Sequence, residues 1–112
     1  MTVATRVDAI QRKTIRFTWT EGPTKGKTHE HVFGENGTVT WHDAASPPTG
    51  KPAEAPEYAA IEIADDIYLV SYLASSGYTL TVALNFRDHT IAGFASGAKD
   101  WYPVKGTLQV MG

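Results

Sequence analysis

No cysteine occurs in the 112 residues, which excludes disulfides, thiol catalysis and thiolate-bound zinc. No apolar run approaches the roughly 18 residues of a membrane-crossing helix. The N-terminus has neither a continuous apolar core nor a small-residue cleavage site, so no secretory signal is expected. An excess of positive charge is also lacking: the net charge is -2, whereas non-specific nucleic-acid binding wants a basic patch. None of Ser46, Ser71, Ser75, Ser76 and Ser96 sits in a Gly-x-Ser-x-Gly elbow, and there is no glycine-rich phosphate loop. Asn36-Gly37-Thr38 fits a glycosylation acceptor, but in this context it reads as a turn. The expectation is one cytoplasmic domain with no membrane or nucleic-acid partner and no cofactor.

What is present is strand chemistry. Asp66–Ala74 and Tyr78–Phe86 are rich in β-branched and aromatic residues and flank Ser75-Ser76-Gly77, a hairpin signal. The second run alternates strictly, with Tyr78, Leu80, Val82, Leu84 and Phe86 on the face that must be buried. Thr14–Thr20 alternates in the same way, setting Ile15, Phe17 and Trp19 against threonines and Arg16. Lys27–Phe33 and Thr38–His42 flank an Asn-Gly turn, the strongest short hairpin signal. Further strands are read at Tyr58–Ala64, Thr90–Ala95 and Trp101–Met111, the last with Pro103 and Gly106 as points of interruption.

Helical spacing is confined to Val3, Val7 and Ile10, so residues 1–13 are read as an N-terminal arm or short helix. Residues 14–112 form a single β-domain with a Pro-rich loop at 43–57, which holds four of the six prolines and reads as a lid or a connector. Eight hairpin-linked strands must lose their edges by closing or stacking. The all-β, antiparallel, up-and-down eight-stranded barrel is the expected fold, and its interior holds side chains or one small ligand.

Few residues offer chemistry. His29-Glu30-His31 puts two imidazoles on one strand face, and with Glu35 it mimics half of a metal motif. Glu35 falls in a turn and no second half follows, so no metal site is expected. Glu62 is a base only if it faces inward; otherwise it is a surface residue. An aromatic set accompanied by His31, His42 and Thr40 could line a cavity for a flat apolar molecule with a few polar groups.

From about Ile15 to Lys99 the chain resembles the calycin-type (lipocalin-like) barrels of the phenolic acid decarboxylase and MoaF-like group. The resemblance rests on Phe17-Thr18-Trp19, on Asn36-Gly37-Thr38-Val39-Thr40-Trp41, and on Ile67-Tyr68-Leu69-Val70-Ser71-Tyr72 followed by Gly77 and Val82-Ala83-Leu84-Asn85-Phe86. The decarboxylases' Tyr-x-Tyr pair falls at Phe17 and Trp19, their arginine at His42 and their glutamate at Ala74. Without those phenols and that carboxylate, decarboxylation by their mechanism is not expected. MoaF-like proteins carry Trp-x-Glu where this chain has Tyr72 and Ala74, a further departure.

The resemblance implies a MoaF-like barrel that binds an apolar or aromatic small molecule, with Phe17, Trp19, His31, His42 and Tyr72 as ligand-binding residues. Turning His42 and Thr40 inward leaves Val39 and Trp41 outside, which would fit a homodimer; the opposite choice turns Trp41 inward and solvates His42. Alternative readings are a cofactor-free lyase, isomerase or cyclase using His31, His42 or Glu62 beside Tyr72, and a ligand-free structural subunit.

Overall fold

A computed structural model of the chain describes residues 10–35, 37–44, 56–74 and 77–112. Within them are eight strands and no helix: β1 (Thr14–Glu21), β2 (Thr28–Phe33), β3 (Val39–Asp43), β4 (Tyr58–Ala64), β5 (Ile67–Leu73), β6 (Thr79–Asn85), β7 (Thr90–Ser96) and β8 (Trp101–Val110). Among the described residues no helix is long and apolar enough to cross a membrane. The expected N-terminal helix and most of the 43–57 loop fall outside the described residues.

All neighbouring strands pair antiparallel in the order β3-β2-β1-β8-β7-β6-β5-β4. First and last strands therefore meet, Phe17 lying opposite Leu108, and the sheet curls into the expected up-and-down barrel. Its outer members, β3 and β4, touch at the Thr38–Glu57 bridge. Backbone bonds from Val39 N to Pro56 O (2.9 Å) and from Tyr58 N to Gly37 O (3.1 Å) reinforce that seam. β8 runs unbroken through Pro103 and Gly106.

Alternation fixes which side chains point inward. β1 buries Ile15, Phe17 and Trp19, β5 buries Tyr68, Val70 and Tyr72, and β6 buries Val82 and Leu84. One end of the lumen is packed solid by Ile10, Phe33, Val39 and Tyr58, all almost fully buried. Ile10 is held there by the turn after it, in which Arg12 N donates to Phe33 O at 2.7 Å and Lys13 N to Ile10 O at 3.1 Å. Burying such large apolar side chains stabilises the fold by about 1.5–3 kcal/mol each. The other end is not filled.

Candidate functional site

The unfilled end is a cavity of about 870 Å³, within the size range of small-molecule sites. Its wall is aromatic and aliphatic: the buried Trp19 and Tyr72, the partly exposed Trp41, and Leu80, Ala95 and Val104. Its rim is the turn between β1 and β2 together with Tyr78 and Tyr102. Those two phenols are tied together by one carboxylate, since Tyr78 donates to Asp100 Oδ1 at 3.1 Å and Tyr102 to Asp100 Oδ2 at 3.0 Å. The bond to Asp100 raises both tyrosine pKa values above their ordinary value.

Two histidines sit in the wall. His29 and His31 are i and i+2 on β2, so the pleat sends both inward while Glu30 goes outward. His31 is buried, stacked on Phe17 with ring centres 4.0 Å apart, and its Nε2 shares a 2.9 Å hydrogen bond with the Tyr72 hydroxyl. Its Nδ1 has no partner at hydrogen-bonding geometry among the described residues. Burial, aided by the neighbouring His29, pushes the His31 pKa down to about 3, and burial likewise raises that of Tyr72. The pair is therefore neutral at ordinary pH.

His29 is held differently. The Trp19 indole Nε1–H donates to His29 Nδ1 at 2.9 Å, and Trp41 lies against the imidazole at 4.6 Å between ring centres. Burial lowers the His29 pKa, partly offset by the charge of Asp43.

Of the five residues expected to bind a ligand, Trp19, His31 and Tyr72 line the cavity. Phe17 is buried behind His31 and is not part of the lining. His42 is a correction. The register pairs His31 with Trp41 and Glu30 with His42, and directly paired residues share a face. Trp41 therefore points into the lumen and His42 outward, where its Nε2 lies 3.5 Å from Glu30 Oε1. Arg16 donates to the other oxygen of that carboxylate at 2.9 Å. Val39 is buried too, while Trp41, which lines the cavity, stays 45% exposed, so the two do not form the joint outward patch on which the homodimer reading drew.

The residues of the metal-like pattern are dispersed. Glu35 stands 3.7 Å from Arg12 at the packed end, and Glu62 is exposed. Among the described residues no three His, Asp or Glu side chains gather in a way that could hold a metal ion. Sequence reasoning did not single out His29 as a cavity residue and left open whether Trp41 or His42 points inward. The signal was there for His29, which shares a strand face with His31; for Trp41 it lay in the cross-strand register.

Residues 2–100 match the model of the MoaF N-terminal domain family. No curated protein matches the chain. A crystal structure from Burkholderia vietnamiensis, described as that of a candidate beta-lactamase, superposes with a TM-score of 0.73 at 19% identity, over 96% of this chain and 100% of the other. At that identity the likeness is one of fold.

Proposed function

The chain belongs to the MoaF N-terminal domain family, and from that premise we propose that it binds an apolar or aromatic small molecule inside its barrel. The observation that carries this reading is the cavity of about 870 Å³, lined by Trp19, Trp41, Tyr72 and Leu80. A hollow lined by large apolar side chains forfeits dispersion contacts that a guest of matching shape restores.

The polar groups favour holding over proton transfer. A histidine whose conjugate acid titrates near 3 is a weak base at neutral pH, and a phenol raised by burial is a weak acid. Neither matches the range in which general acid–base groups work best. His31 and Tyr72 are better suited to orienting a ligand than to catalysing its conversion.

The test is to fill the hollow. Ala95 and Leu80 line it from adjacent strands and face each other in the β6–β7 register. Wild-type protein is expected to enhance the fluorescence of N-phenyl-1-naphthylamine, an uncharged aromatic probe. Ala95→Phe and Leu80→Trp should each weaken that binding roughly tenfold or more while leaving the melting temperature unchanged or higher, because added bulk enters empty space. Binding that persists in both folded variants, or is absent from the wild type, would remove the reading.

A further inference from the structure

We propose that the cavity selects uncharged aromatic ligands bearing a hydrogen-bond acceptor, such as a carbonyl, received by His29 Nε2–H, and that it excludes anions. This rests on the ligand-binding reading above and adds the chemical class and the specificity residue.

Trp19 fixes the tautomer of His29. An indole N–H can only donate. Its 2.9 Å bond to His29 Nδ1 therefore requires a lone pair on that nitrogen. A neutral imidazole with Nδ1 unprotonated carries its hydrogen on Nε2. The tautomer is thus set by a buried neighbour rather than left to solvent. The bond from Trp19 is the one side-chain hydrogen bond His29 makes among the described residues, and its ring lines the cavity beside Trp41. The ring that carries this fixed donor lines the space a guest would occupy, with an aromatic surface next to it.

Charge decides what kind of guest. The charged lining residues are Glu21 and Lys25, both exposed at the rim. Deeper in, protonating His29 on Nδ1 would set two donors against each other, and His31 is neutral beside Tyr72. An anion in the interior would be desolvated without a countercharge, which is unfavourable. A cation would meet the same outward N–H of His29. An uncharged acceptor satisfies the donor, whereas a pure hydrocarbon strips it of water and leaves it unpaired.

Three ligands sharing one ring system test this by calorimetry: 2-acetylnaphthalene, 2-ethylnaphthalene and 2-naphthoate. The ketone should bind roughly tenfold tighter than the hydrocarbon and at least about a hundredfold tighter than the carboxylate. His29→Leu should erase or invert the preference for the ketone while hydrocarbon binding survives. Trp19→Phe, which keeps a ring but frees the tautomer, should reduce that preference in the same direction. Nitrogen-15 NMR of the wild type provides a readout independent of any variant's folding: His29 Nδ1 should resonate as unprotonated and Nε2 as protonated. Equal binding of ketone and hydrocarbon, tight binding of naphthoate, or the opposite tautomer would overturn this inference and leave the ligand-binding reading standing. Failure of all three ligands to bind would overturn both.

Discussion

Gly93→Val is expected to leave the protein unfolded. Gly93 lies on the inner face of β7, paired with Val82 on β6 and Val104 on β8. A Cβ there would stand 2.0 Å from the Thr81 carbonyl oxygen and 2.6 Å from Val82 Cα. Both are backbone atoms of the paired strand, so no side chain can rotate away. Relief requires β6 and β7 to separate, which breaks hydrogen bonds in the centre of the barrel. Gly106 repeats the arrangement on β8, with the Thr18 carbonyl oxygen 2.3 Å from the same hypothetical atom. Glycine at such corners is what lets a sheet curl. The expected loss exceeds about 4 kcal/mol, comparable with the whole stability of a small domain at about 5–15 kcal/mol. Urea denaturation followed by far-ultraviolet circular dichroism measures it. Gly112→Ala, where nothing lies within 4 Å, is the control and should change stability by less than about 0.5 kcal/mol.

His31 should make the fold acid-sensitive. Its ordinary value of 6.5 falls to about 3 in the folded chain. Between those two values the unfolded chain takes up a proton that the folded chain refuses. Stability is therefore fully present above pH 6.5 and falls as the pH is lowered, until the folded protein also protonates near pH 3. At 1.36 kcal/mol per pKa unit, the loss approaches about 5 kcal/mol across that window. His29, lowered by burial in the same direction, adds to it. Carboxylates contribute to any acid transition, so the comparison is with His31→Phe, which keeps the stacking on Phe17. Urea-derived stabilities at pH 7 and pH 4 should differ by several kcal/mol less in that variant than in the wild type. An identical pH dependence in both would mean that the His31 imidazole is hydrated or protonated in the folded state.

The strands were legible because alternation is a local signal. Ile15, Phe17 and Trp19 on β1, or Val82 and Leu84 on β6, reveal the buried face without any knowledge of neighbours. β3 was not legible in that way. Val39-Thr40-Trp41-His42 carries large or functional groups on both faces, and only the pairing with β2 decides that Trp41 enters. The same limit hid the Trp19–His29 bond, which joins two strands ten residues apart in sequence. It hid the His31–Tyr72 bond as well, which crosses between residues separated by 41 positions. The family resemblance, read with strand alternation, put forward Trp19, His31 and Tyr72, which line the cavity, but not the bonds that set protonation and tautomer. Nor could composition divide the lumen into a packed half and a hollow half. That division depends on Ile10 and its turn closing one end while the aromatic groups at the other stop short of meeting.

A crystal soaked with 2-bromonaphthalene puts the hollow barrel to its most direct test, because bromine is located by anomalous scattering without assumptions about side chains. The expected result is a bromine peak enclosed by Trp19, Trp41 and Tyr72, absent from crystals of Ala95→Phe. Crystals in which bromine is absent from the lumen, with the space taken by the protein's own side chains, would contradict the account.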